Sequence, residues 1–236
     1  MKDFDSKTDE SLALEAYSID RTSISRPFSI PNQTFYAAFG KRALDICVVA
    51  FSAAVTLPII VLCAVFIALD GHWPFYGQMR VGKDGREFRC WKVRSMVTNA
   101  EAFLAAHLAA DDAARAEWAD SRKLKNDPRI TRFGRFLRKS SLDELPQILN
   151  VLMGEMSIVG PRPVVRDELE LYGFNRSAYL SMRPGITGLW QVSGRNDVSY
   201  DNRVGFDREY SVSYSLWRDL TIILKTIRVV LLRNGH

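Results

Sequence analysis

Histidine and cysteine are scarce in this chain of 236 residues, three of each, and the scarcity removes whole classes of chemistry. Cys47, Cys63 and Cys90 show no metal-ligand spacing, and the first two lie in an apolar run, so neither a zinc site nor a disulfide framework is indicated and the context reads as reducing. His72, His107 and His236 are scattered, which leaves a histidine metal site or a catalytic triad nothing to build on. The start of the chain lacks an apolar leader. Residues 1–35 are polar, begin acidic and show no sustained periodicity, so they read as a disordered tail and not as a secretory signal. Internal repeats are missing as well. Whatever chemistry the chain performs must use carboxylates, Arg and Lys.

Charge is absent from Ile46 to Leu69, a run of 24 residues. At roughly 1.5 Å per residue such a helix can cross a hydrocarbon core of roughly 30 Å, so the segment belongs to a membrane. Pro58 lies at its midpoint and cannot donate to the carbonyl of Ala54. Two geometries stay open on this reading: a kinked span, or a helix broken at Pro58 that enters and leaves on the same face. Lys41 and Arg42 on one flank and a basic body on the other favour the cytoplasmic side for both ends.

The rest of the chain is basic. Residues 1–40 carry four basic and six acidic side chains, so the net +5 of the whole leaves +7 beyond them. Phe75 to Met96 reads as a β-hairpin turning at Lys83-Asp84-Gly85-Arg86, and alternation sets Lys92 and Arg94 on one strand face. Thr98 and Glu101 give a capping-box signal for an Ala-rich helix to about Trp118. Asp127-Pro128 breaks the chain before a short cationic amphipathic helix, Ile130 to Arg138. Leu216 to Leu232 reads as a terminal amphipathic helix, in the core or on a membrane surface.

Between Arg122 and Lys139 eight basic residues face one acid, Asp127, and then Asp143 and Glu144 stand side by side. An acid pair beside so strong a positive field invites an anionic ligand. The structural alternative is a capping box made by Ser141 and Glu144, although Pro146 then falls too deep in the helix, whereas a start near Asp143 removes the conflict. Helix continues from Ile148 to Met153 and stops at Gly154. Two glycine- and proline-punctuated loops follow, Met156 to Pro163 around Arg162 and Arg183 to Asn196 around Arg195, each suited to hold a guanidinium for a phosphate. A basic membrane adaptor that binds anionic lipids accounts for the charge but not for the acid pair; a nucleic-acid binder is disfavoured by the membrane segment.

Lys92-Val93-Arg94-Ser95-Met96, Ser141 to Gln147, Met156 to Pro163 and Arg183 to Asn196, in this order, resemble the signatures of the bacterial sugar transferases, the monotopic polyprenyl-phosphate phosphoglycosyl transferases. The resemblance runs from about residue 36 to the C-terminus and is to the short exopolysaccharide type. It implies a mainly α fold with a small β-hairpin: a membrane-associated catalytic domain at 71–236, a Pro-broken re-entrant membrane helix at 36–70, surface amphipathic helices and a cytoplasmic tail at 1–35. Some relatives have Ser before the proline where this chain has Leu57. By the same resemblance Asp143 is the nucleophile on a UDP-hexose, galactose before glucose. Glu144 holds Mg²⁺, and Lys92, Arg94, Arg162 and Arg195 bind phosphate. The phosphosugar acceptor is undecaprenyl phosphate, the location is the cytoplasmic face of the inner membrane, downstream glycosyltransferases are further partners, and nucleic acid is not one.

Overall fold

The computed structural model describes residues 35–121, 124–193 and 199–231. Arg195 and the N-terminal tail therefore lie outside the described residues. The fold is mainly helical, with a small antiparallel hairpin and one long apolar helix, as the sequence implied.

That helix, α1 (Lys41–Ala68), follows a π-helical turn at Tyr36–Gly40, and it is long and apolar enough to cross a membrane by length and composition. Its helical pattern is uninterrupted, so the break expected at Pro58 is not seen as a gap: Pro58 lies inside one helix of 28 residues. Proline removes one donor, and packing on both sides of it holds the axis together. Val48 and Val49 pack before it, and Ile59, Ile60 and Cys63 after it. The Thr56 hydroxyl donates to the Ser52 carbonyl (3.1 Å), a bond within the helix that leaves the Ala54 carbonyl alone.

Charged side chains fasten the start of α1 to the body. Lys41 Nζ reaches the buried Asp219 carboxylate (2.7 Å) and donates to Tyr210 OH (2.9 Å). Arg42 donates to the carbonyls of Val151 and Leu152. Asp45 accepts from the Ser157 hydroxyl and the Ile158 amide, both at 2.8 Å. Near the other end, Cys63 packs with Val93 and Leu137, and the Phe66 ring lies 4.4 Å from Phe133. The remaining face is bare hydrocarbon: Phe51 is 92% exposed, and Val61, Leu62 and Val65 are exposed with it.

The hairpin forms as expected from β1 (Phe75–Val81) and β2 (Glu87–Val93), with Asp84 and Gly85 taking the positive φ that the turn needs. The Ala-rich stretch differs from expectation. It is two helices, α2 (Ala100–Ala110) and α3 (Asp112–Ser121), because Asp111 turns extended and its Oδ1 accepts from the Ala114 amide (3.0 Å), capping α3. The first cap position is Asn99, so the Thr98 and Glu101 box does not form there.

The cationic helix α4 (Arg132–Ser140) starts on Thr131, whose hydroxyl accepts from the Gly134 amide (2.8 Å). It ends at Ser141, which adopts the left-handed conformation at φ 53°. The acid pair then occupies a 3₁₀ turn, Leu142–Glu144, and α5 (Gln147–Met153) begins after Pro146. Neither sequence alternative had Ser141 closing the preceding helix. Pro146 is nevertheless harmless where it stands, as the cap of α5 needs no donor there.

Both expected loops contain strand. β3 (Ser157–Val159) pairs in parallel with β4 (Gly185–Thr187), bringing the Arg162 loop against the loop that opens at Arg183. A side chain on Gly185 would collide with the Gly160 amide, so this pairing requires glycine. Between and after these strands come α6 (Arg166–Glu170), α7 (Arg176–Leu180), α8 (Leu189–Ser193) and α9 (Tyr200–Ser213); the terminal helix is α10 (Leu216–Leu231). The main core joins Phe88, Cys90, Ile148, Val151, Met156, Trp190, Tyr210 and Ile222, and Cys90 also lines the site.

Candidate active site

Strands, turn and helices converge on one narrow cleft. It is lined by Arg80 of β1, Cys90 and Lys92 of β2, Glu144 of the 3₁₀ turn, Gln147 of α5, Arg162 and Pro163 after β3, Gly185 and Ile186 of β4, and Gln191 of α8. Period-two alternation explains the first three. Phe88, Cys90 and Lys92 share a strand face, and the hairpin register sets Arg80 opposite Phe88 on that face.

Lys92 Nζ donates to Glu144 Oε1 at 2.6 Å. Burial pushes the Glu144 carboxyl up, but Lys92, with Arg162 and Arg80 adding to it, outweighs burial and leaves the group below the usual carboxylate range. Asp143 goes the other way. It is 7% exposed, and burial, reinforced by the neighbouring Glu144 charge, raises its pKa to about 6 against the opposing pull of Lys92 and Arg138. Two adjacent carboxylates thus have opposite tendencies, one held as an anion by Lys92 and one that gives up its proton only near pH 6, a division typical of sites that move charge.

Arg162 is exposed over the cleft, its guanidinium 5.8 Å from the centre of the Trp190 ring. Among the described residues it makes no ion pair. Arg80 is held by Gln78 (2.7 Å) and Glu168 (3.3 Å). Arg94 is not in the lining: both Asp70 oxygens take its Nη2, at 2.7 and 2.8 Å, just past the end of α1. Lys92 and Arg94 therefore meet different carboxylates. Asp143 is also absent from the lining, although its chain neighbour Glu144 is part of it.

The structure brings together Lys92, Glu144 and Arg162 in the cleft, leaves Asp143 buried next to Glu144 outside the lining, and adds Arg80, Gln147 and Gln191, which the sequence reading missed. Arg80 had a findable signal, because fixing the register from the Lys83 to Arg86 turn puts it on the Lys92 face. For Gln147 and Gln191, each inside a motif but neutral, composition gave no cue. Anionic phosphate oxygens suit three cations, and an oxygen nucleophile suits the acid pair.

A family profile described as bacterial sugar transferase matches residues 36–233. Among curated proteins, the chain is 54% identical over 197 residues to a UDP-galactose-lipid carrier transferase of Erwinia amylovora, covering 84% of this chain and 41% of that protein. It is 52% identical, with the same coverage, to an undecaprenyl-phosphate galactose phosphotransferase of Salmonella typhimurium. The chain thus spans about two fifths of the length of these two relatives. Against the exopolysaccharide production protein ExoY of Rhizobium meliloti it is 46% identical over 218 residues, 90% of this chain and 96% of that one.

Proposed function

Because the chain belongs to the bacterial sugar transferase family, we propose that it moves a phosphosugar from a UDP-hexose to undecaprenyl phosphate, initiating exopolysaccharide synthesis. The observation that carries this reading is the buried Asp143 beside Glu144 at a cleft ringed by Lys92, Arg80 and Arg162. In the first step a carboxylate oxygen of Asp143 attacks the sugar-bearing phosphorus. The bond from that phosphorus to the bridging oxygen breaks, and its electron pair leaves with UMP. In the second, an oxygen of the lipid phosphate attacks the same phosphorus, frees the Asp143 carboxylate and yields the undecaprenyl diphosphate sugar. The three cations neutralise the phosphates that must approach one another. Galactose is the favoured sugar, in keeping with the names of two of the relatives, and glucose the next.

Magnesium is part of the proposal. No group of three or more His, Cys, Asp or Glu side chains converges among the described residues, so there is no dedicated protein cage. Mg²⁺ is commonly held instead by one or two carboxylates together with substrate phosphates and water, and the all-oxygen pair Asp143 and Glu144 fits that mode. Glu144 is the proposed ligand; taking up the ion would release Lys92 to the phosphates. The ion would supply neutralisation of phosphate charge.

Placement on the cytoplasmic face of the inner membrane completes the reading, because nucleotide sugars are cytosolic and α1 is fastened to the body near both ends. The deciding experiment offers UDP-galactose, UDP-glucose and other UDP-sugars with undecaprenyl phosphate and measures UMP release. Release with galactose foremost is expected; none from any UDP-sugar would overturn the assignment.

A further inference from the structure

The cleft contains two carboxamides with unmet hydrogen-bonding capacity. Gln147 is 2% exposed and lines the cleft, yet its side chain makes no hydrogen bond among the described residues. Gln191 also lines the cleft; its Nε2 has only a long contact to the Ile186 carbonyl (3.4 Å), and its buried Oε1 has no partner among the described residues. Room for that oxygen is made by Gly188, where a Cβ would lie 2.7 Å from Oε1. A buried amide oxygen left unpaired is costly, so Gln191 Oε1, with the Gln147 side chain opening on the same cleft, points to a ligand that completes it.

An unpaired Oε1 can only accept, which excludes an ionised phosphate oxygen as its partner and requires a ligand donor. Phosphates are in any case provided for by Arg80, Lys92 and Arg162. Among the described residues the cleft lining includes no aromatic side chain to stack a base, and the nearby Trp190 ring is already engaged by Arg162 (5.8 Å) and Arg203 (4.8 Å). Hydroxyl groups both donate and accept, as an amide does. Next to Glu144, the hydroxyl-bearing part of the donor is the sugar attached to the attacked phosphorus.

Resting on the transferase reading above, we propose that Gln147 and Gln191 form the subsite for the hexose hydroxyls of the donor. The amides hold the sugar while the cations hold the diphosphate. Gln147 follows Glu144 by three residues, so one short stretch of chain delivers both the acid pair and the first sugar contact.

The test is calorimetric binding of UDP-galactose and of UDP to the full chain in an Asp143→Asn background, which prevents turnover. Adding Gln147→Met or Gln191→Leu is expected to weaken UDP-galactose about tenfold each, the scale of one lost neutral hydrogen bond, and to leave UDP within about twofold. Retained UDP binding shows that each variant is folded. Equal losses for UDP and UDP-galactose would overturn the subsite and hand the amides to the nucleotide, and unchanged UDP-galactose binding would also overturn it. A parent protein that binds UDP-galactose while neither variant matters sinks the subsite alone; one that binds neither ligand sinks the transferase reading with it.

Discussion

Asp143 has to be ionised to act as a nucleophile, yet burial and the Glu144 charge raise its pKa to about 6. UMP release in the donor half-reaction should therefore climb with pH on a limb near 6, measured as kcat/KM for the UDP-sugar. Asp143→Asn should abolish transfer, and intact-mass analysis of the wild type given donor alone should find a phosphosugar on Asp143. Direct transfer in a ternary complex, with no donor half-reaction, would sink the covalent route. The raised pKa has a consequence for stability as well. A carboxyl whose folded pKa is raised stabilises the fold while protonated, and that contribution is lost as pH rises from the ordinary value of 3.8 through about 6. The difference between those two values is equivalent to about 3 kcal/mol, so Asp143→Asn should be the more stable protein at pH 7.5 by up to that amount. Denaturation midpoints should converge again below about pH 4. Glu144 differs, since Lys92 favours its charge. Glu144→Gln should cut activity about a hundredfold or more if the carboxylate holds Mg²⁺, and EDTA should silence the wild type. Full activity in metal-free buffer would assign phosphate neutralisation to Arg80, Lys92 and Arg162 alone.

Among the elements, α4 places the acid pair, and its own position depends on one missing side chain. A Cβ at Gly134 would run into the Ser95 carbonyl, and that carbonyl also accepts from the Thr131 amide (3.2 Å). Gly134→Ala should cost about 1–3 kcal/mol by overpacking. Because α4 ends at Ser141 and turns straight into the acid pair, it should also slow UMP release by more than the stability loss explains. A denaturation midpoint and a rate from one preparation separate the two effects. Helices and hairpin were legible where the signal is local: the Lys83 to Arg86 turn, the uncharged run of α1, the periodic apolar residues of α10. The capping of α4 by Ser141 was not, since a left-handed serine is dictated by the chain on both sides of it. Parallel pairing of β3 with β4 links residues 28 apart in sequence, and three-residue strands carry no periodicity to read. In the site, charged residues announced themselves and neutral ones did not. Arg94 shows the limit, for its strand position suggested a partner of Lys92 whereas tertiary packing gives it Asp70.

At the scale of the molecule the question is how α1 meets the bilayer, and its contacts argue against a straight span. A 28-residue helix is about 42 Å long, enough to cross. Crossing would carry one end away from the body, yet Lys41, Arg42 and Asp45 bind the body near the start while Cys63 and Phe66 pack on it near the end. Withdrawing the start would leave Asp219 buried without its Lys41 partner, a loss of several kcal/mol for a buried ion pair. The exposed face with Phe51, Val61, Leu62 and Val65 can enter lipid from one side while both ends stay with the body. A single cysteine at Ser23, in a variant lacking Cys47, Cys63 and Cys90, should therefore resist membrane-impermeant thiol reagents in intact cells and react after lysis. Pro58→Leu restores a donor but removes none of the contacts that fasten the start of α1, so these contacts and the proline can be separated. If the proline alone sets the topology, Pro58→Leu exposes the cysteine placed at Ser23 outside. If the polar fastening dominates, Pro58→Leu stays protected and exposure requires Lys41→Ala together with Asp45→Ala. The contacts favour the second outcome, and labelling of the Pro58 form itself in intact cells would show that α1 spans after all.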